Sequence, residues 1–203
     1  MTARLADLRR VVVATGNPGK IREIEQILGE MDIATVPMSD LGDPPDVVED
    51  GLTFEANARK KATKIAAWSG LPSLADDSGL EVDALGGAPG VWSARFAGDQ
   101  ATDAENLSLL LERLKTVAPD KRTARFQCVI VLALPDGGEL VARGDCEGRI
   151  ANEREGVGGF GYDPVFVESQ AGQTFGVLPP DYKNRVSHRA KALASFAAQL
   201  PEI

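Results

Sequence analysis

Short apolar runs and helical stripes alternate along this chain, separated by polar, glycine-containing stretches. Residues 10–14 (RVVVA) have the length and apolar content of a strand buried on both faces. Ile21, Ile24, Ile27 and Leu28 then recur at helical spacing, with Gly29 near the helix end. A second short strand is expected over residues 33–36. The polar, proline-containing residues 39–51 read as a mobile connection between lobes. Thr53 is placed as the N-cap of a helix whose stripe includes Phe54, Ala58, Ala62, Ile65 and Ala66. Leu74, Leu80, Val82 and Leu85 are interrupted by Asp76-Asp77-Ser78-Gly79, which predicts a strand, a tight turn and a second strand.

Further on, Thr102 and Glu105 make a capping box for a helix with Leu107, Leu110, Leu111 and Leu114 toward the core, which reads as purely structural. Residues 123–134 and 139–150 read as two long strands joined by the hairpin Pro135-Asp136-Gly137-Gly138. A last amphipathic helix runs through Ala190, Leu193, Phe196, Ala197 and Leu200, with Ser187 as its N-cap.

Composition narrows the function class. The 203 residues suit one domain of two lobes or two small domains, and 43% hydrophobic with 26% charged residues is ordinary for a globular protein. A net charge of −8 argues against nonspecific binding to nucleic acid or to anionic membranes. Cys128 and Cys146 have no metal-type spacing and read as two reduced, packed thiols. No apolar run approaches a membrane span, and MTARLADLRR lacks the apolar segment of a signal peptide, so a cytoplasmic location is expected.

Candidate chemistry lies in the polar interruptions. A strand followed by Thr15-Gly16-Asn17-Pro18-Gly19-Lys20 and a helix aims free backbone N–H groups and a positive dipole end at an anion, with Lys20 adding a charge. The same residues also fit a plain turn with a surface lysine, and the spacing is not that of a Walker A loop. Two neighbouring aspartates repel, and on a strand they point to opposite faces, so one of Asp76 and Asp77 faces a given site. Asn57 and Lys61 share a helix face, while Arg59, Lys60 and Lys64 read as a solvated basic face. Residues 155–164 (EGVGGFGYDP) place Phe160, Tyr162 and Asp163 among four glycines: an aromatic to stack on a base and a carboxylate to accept from a ring N–H or cap a turn. A glycine-rich turn with Phe160 in the core accounts for that loop equally well. His188 and Arg189 fall in the first turn of the last helix, where cations oppose the dipole unless something anionic is near.

Five blocks in order, TGNPGK, EDGLTFEANARKKA, LADDSGLEVDALGGAPGVWSARFAG, GGFGYDPVF and KNRVSHRAKAL, resemble the inosine triphosphate pyrophosphatase family over nearly the whole chain. The resemblance implies an elongated α/β fold of two lobes around a long mixed sheet with flanking helices, a cleft between the lobes, and a homodimer. It implies one two-lobed domain over residues 1–203 and hydrolysis of ITP, dITP or XTP to the monophosphate and pyrophosphate, with magnesium. Thr15, Gly16, Asn17, Pro18, Gly19 and Lys20 match the phosphate loop, and Lys61 a second phosphate-side lysine. Glu49 and Asp77 match the metal positions, Asp77 also the proton acceptor, and Ser78 a substrate contact. Phe160, Gly161, Tyr162, Asp163, Lys183, His188 and Arg189 match the nucleoside and base pocket. This chain departs from the family at Gly176-Val177-Leu178 and Tyr182-Lys183, where relatives usually carry acidic residues, which leaves the pose of Lys183 open.

Overall fold

Alternation of apolar strands with amphipathic helices produces an α/β fold, seen in a computed structural model that describes residues 8–200. Residues 1–7, the greater part of the segment read as lacking a leader, lie outside the described residues. Strand β1 (Arg10–Val13) leads into helix α1 (Pro18–Gly29) and β2 (Ala34–Pro37). Helix α2 (Phe54–Ser69) precedes β3 (Ser73–Val82), and α3 (Asp103–Leu114) precedes β4 (Thr123–Ala133) and β5 (Glu139–Ile150). The short β6 (Phe166–Glu168) and helices α4 (Pro180–Val186) and α5 (His188–Ala197) complete the order. Hydrogen bonding orders the strands β2-β1-β3-β4-β5-β6. The sheet is mixed: β1 runs parallel to β2 and β3, and β5 pairs antiparallel with β6.

The chain forms two compact units. The first comprises Met1–Asp77, Cys128–Gly144 and Arg189–Ile203, and its described part packs Val11, Val13, Ile24, Leu28, Leu193 and Phe196 with residues of β4 and β5. The second, Ser78–Gln127 and Asp145–His188, has its own core of Leu80, Leu107, Leu110, Phe126, Phe166 and Phe175. Phe126, Phe166 and Phe175 lie ring against ring, with the Phe126–Phe166 centroids 4.6 Å apart.

Local signals set the helix ends. Thr53 accepts from the Ala56 N–H at the start of α2, and Gly70 ends that helix in the left-handed conformation only glycine adopts freely. The Thr102–Glu105 capping box forms at α3. At the other end of α3, the buried Arg122 guanidinium donates to the carbonyls of Leu114, Val117 and Ala151, satisfying acceptors that the helix leaves over.

Two expectations are corrected. Asp76-Asp77-Ser78-Gly79 is no turn but the middle of the ten-residue strand β3, because its carboxylates find partners on neighbouring helices rather than on their own backbone. The polar stretch after β2 is not a connection between units. It lies inside the first unit, opens with a 3-10 turn at Met38–Leu41, and is tied to α2 through Lys60 to Asp50, Lys61 to Glu49 and Lys64 to the Asp46 carbonyl. Arg59 likewise bonds Glu55 and Glu139, so the basic face of α2 is an ion-pair lattice. Among the described residues no helix is long and apolar enough to cross a membrane.

Both cysteines are free and buried, and burial, with Asp76 nearby, pushes the Cys128 thiol up to about 12. A native thiol titration at pH 8 is therefore expected to find neither cysteine, and the same titration in denaturant to find both. Thr102→Ala is expected to lower Tm by about 2–4 °C through loss of the N-cap.

Candidate active site

Three elements of the first unit converge on β3. Because successive strand residues face opposite ways, Asp76 and Asp77 acquire different partners. Asp76 is completely buried; its Oδ2 accepts from Arg189 Nη2 at 2.8 Å and lies 3.1 Å from Lys20 Nζ. Burial alone raises the pKa of such a carboxyl, but Lys20, Arg189 and Lys61 together reverse the effect and hold it well below the usual carboxylate range. Asp77 accepts from Asn57 Nδ2 at 3.1 Å on Oδ2, while its Oδ1 lies 3.4 Å from Lys61 Nζ. Here burial prevails over the attraction of Lys61 and Lys20 and over the Asn57 hydrogen bond, so the Asp77 pKa is raised and its carboxylate is a stronger base than an exposed aspartate.

Lys61 also donates to Glu49 Oε2 at 2.7 Å, so one buried ammonium bridges Glu49 and Asp77. Burial would lower its pKa, yet the attraction of Asp77, Asp76 and Glu49 outweighs that and raises it, so Lys61 stays charged. Among the described residues no three His, Cys, Asp or Glu side chains gather as a metal cage. Magnesium, however, is usually held by one or two carboxylates together with substrate phosphates and water. The hard oxygens of Glu49 and Asp77, drawn to one ammonium, fit that requirement.

The loop of residues 15–20 differs from the expectation of free N–H groups. Asn17 is the N-cap of α1: its Oδ1 accepts from the N–H groups of Gly19 (2.8 Å) and Lys20 (3.1 Å), and Thr15 Oγ1 accepts from the Asn17 N–H. Pro18 has no N–H to offer. Gly16 has open space around it. The positive charge of the loop is therefore carried chiefly by Lys20, held against Asp76.

Arg189 has two carboxylate partners that the sequence does not point to: its guanidinium is buried against Asp76 and Glu23. Those carboxylates supply from inside the fold the negative charge that a cation in a first helical turn requires.

The second unit holds the aromatic set. Asp163 is buried; its Oδ2 accepts from the Phe160 N–H at 2.8 Å and from Lys183 Nζ at 2.5 Å. Lys183 Nζ lies 4.6 Å from the Phe160 ring centre and 5.6 Å from that of Phe175, a cation held over aromatic faces. Gly159 is required here, having φ +73° and a position where a Cβ would stand 2.0 Å from Asp163 Oδ2. Tyr162 is buried and donates its hydroxyl to the Ser93 carbonyl at 2.8 Å, which fastens the loop. The Gly161 N–H donates to Asp103 Oδ2 at 2.8 Å, which gives α3 a part in holding the loop beyond the structural one expected of it. His188 is buried, stacked on Phe126 at 4.7 Å. Ser78 is half-buried in β3. Where the chain departs from its resemblance, Val177 is exposed and the Tyr182 hydroxyl donates to Glu168 Oε2 at 3.1 Å, while Asp163 gives Lys183 its acidic partner.

The sequence points to neither Glu23 nor Asp103, and to Asp76 and Asn57 only through strand alternation and the helix face shared with Lys61. Glu23 nonetheless carried a signal, lying one helical turn from a candidate lysine. Asp103 carried none, being 58 residues from its partner.

Comparison with known proteins gives the chain its relatives. The model of the Ham1 family matches residues 11–199. The dITP/XTP pyrophosphatase of Geobacter sulfurreducens is 50% identical over 187 residues, covering 92% of this chain and 94% of that protein. The dITP/XTP pyrophosphatase of Desulfotalea psychrophila is 47% identical over 193 residues, covering 95% and 86%. The solved structure of a HAM1 protein from Coxiella burnetii superposes with a TM-score of 0.84 at 41% identity, covering 93% of this chain and 96% of that one. With the family model matched over almost its full length, and the family's motif residues forming a buried acid–lysine set and an aromatic–lysine set, this chain belongs to the Ham1 family.

Proposed function

We propose that this protein hydrolyses non-standard purine nucleoside triphosphates, dITP, XTP and ITP, to the monophosphate and pyrophosphate, and so cleanses the nucleotide pool. The observation that carries the reading is the bridging of Glu49 and Asp77 by the buried Lys61, beside a phosphate-type loop that ends in Lys20. The relatives named dITP/XTP pyrophosphatase, at 47–50% identity, support the substrate class.

Each group has a task in this reading. Lys20 and Lys61 offset the charge of a triphosphate that a protein of net charge −8 would otherwise repel. Glu49 and Asp77 would hold magnesium, which when bound supplies electrostatic stabilisation of charge developing on the phosphates. Asp77 takes the proton of the attacking water, a role suited to a carboxylate whose basicity burial has increased. Asn57 and Lys61 each engage one of its oxygens.

On the base side, Phe160 offers an aromatic face, and Lys183 and His188 offer donors for the 6-oxo group of hypoxanthine or xanthine. The 6-amino group of adenine would oppose donor to donor, a mismatch that such sites reject by about 10⁴-fold or more. Arg189 serves first as the counter-ion of Asp76. The family resemblance supports a homodimer, and the charge and cysteine usage support a cytoplasmic enzyme that does not bind nucleic acid.

Pyrophosphate release from dITP, XTP, ITP, GTP and ATP is expected to be confined largely to the first three and to disappear with a chelator. Asp77→Asn is expected to lose about 10²- to 10⁴-fold in kcat while still binding substrate. Wild-type turnover by that variant would remove Asp77 from the mechanism, and tight binding of all five without release would leave a nucleotide sensor in place of an enzyme.

A further inference from the structure

Asn57 is buried in the first turn of α2, one turn before Lys61, and makes no contact in the chemistry above beyond its hydrogen bond to Asp77. Its amide faces two ways. Oδ1 accepts from the Gly51 N–H at 2.7 Å, and Nδ2 donates to Asp77 Oδ2 at 3.1 Å and reaches the Gly51 carbonyl at 3.5 Å. The partners fix this orientation. A backbone N–H can only donate and a carboxylate only accept, so a flipped amide would set donor against donor and acceptor against acceptor. Gly51 lies two residues beyond Glu49, so the loop that carries one acid and the strand that carries the other are both tied to a single amide.

Gly51 provides an independent observation. Its φ lies outside the left-handed region, so the backbone itself would accept an L-residue there. What requires glycine is closeness: a Cβ would stand 2.5 Å from Asn57 Oδ1 and 2.9 Å from Ala56 Cβ. The loop has been brought as near to the amide as a backbone can come.

We infer that Asn57 is a positioning residue for this reaction: its amide sets the rotation of the Asp77 carboxylate and the distance of the Glu49 loop from it. The inference rests on the reading of Asp77 as proton acceptor. A carboxylate turns easily about its last torsion. With Oδ2 held by a neutral donor and Oδ1 toward Lys61, that rotation is fixed before substrate arrives. Serine is too short to span both partners, and aspartate has no donor for Asp77.

The test is steady-state pyrophosphate release from dITP by Asn57→Ser, Gly51→Ala, their combination and Asp77→Asn, with circular dichroism and Tm to verify folding. Asn57→Ser and Gly51→Ala are each expected to lower kcat by about 10- to 100-fold. KM is expected to stay within about threefold of wild type, the pattern of a lost transition-state interaction. The combined variant is expected to be no worse than the poorer single one, because both sever the same link. A folded Asn57→Ser or Gly51→Ala with wild-type kcat, a rise in KM at unchanged kcat, or losses that multiply would each overturn the positioning role. Should Asn57→Ser not fold, Gly51→Ala decides alone, since it keeps the Asn57 amide but pushes it out of position. An active Asp77→Asn defeats the reading of Asp77 itself, whereas an inactive Asp77→Asn beside a fully active Asn57→Ser defeats only the inference about Asn57.

Discussion

Two adjacent carboxylates buried in the middle of one strand are the constraint on which the first unit depends. Moving an ionised carboxylate out of water costs several kcal/mol unless cations or donors replace the lost hydration. Asp76 and Asp77 are therefore tolerable in β3 only because three separate helices deliver positive charge to them: Lys20 from α1, Lys61 from α2 and Arg189 from α5. Strand alternation divides the two acids between different partners, and the difference in partners sends their proton affinities in opposite directions. One acid is fixed as a permanent anion around which helices are pinned. The other keeps enough basicity to act on a proton.

Much of this was legible in the sequence. Caps at Thr53 and Thr102 and the hairpin at residues 135–138 were readable because they are local, each needing only residues three or four apart. The family motifs name Lys20, Glu49, Lys61 and Asp77; in the first unit Lys61 pairs with Glu49 and Asp77, and Lys20 pairs with Asp76. What the sequence hides shares a cause. Asp-Asp-Ser-Gly has the composition of a turn, and only the tertiary cations make it a strand. The loop before α1 reads as offering free N–H groups, yet the Asn17 side chain takes up two of them. The carboxylate partners of Arg189 are remote in sequence, Asp76 lying 113 positions away. Local composition carries no information about such partners.

The second unit shows why glycine-rich does not mean loose. Gly159 admits Asp163, and a Cβ on Gly156 would lie 2.1 Å from the Gly176 carbonyl oxygen. These glycines make room for close packing, so that Asp163 can hold both the Phe160 backbone and the Lys183 ammonium. Tyr182, where a family-type acid was missing, is accommodated by Glu168 and leaves the Asp163–Lys183 pair intact.

The placement of α5 has a consequence for how the protein is made. Among the described residues the helix is the last element, yet Leu193 and Phe196 complete the core of the first unit and Arg189 pairs with Asp76 within it. A ribosome delivers α1, α2 and β3 long before it delivers α5. Until then the nascent first unit holds an exposed apolar face, and Asp76 has Lys20 and Lys61 near it but lacks its guanidinium partner. The segments synthesised first therefore cannot close into a stable unit on their own. The first unit closes only when segments from widely separated parts of the sequence meet, so its stability is a long-range property of the chain.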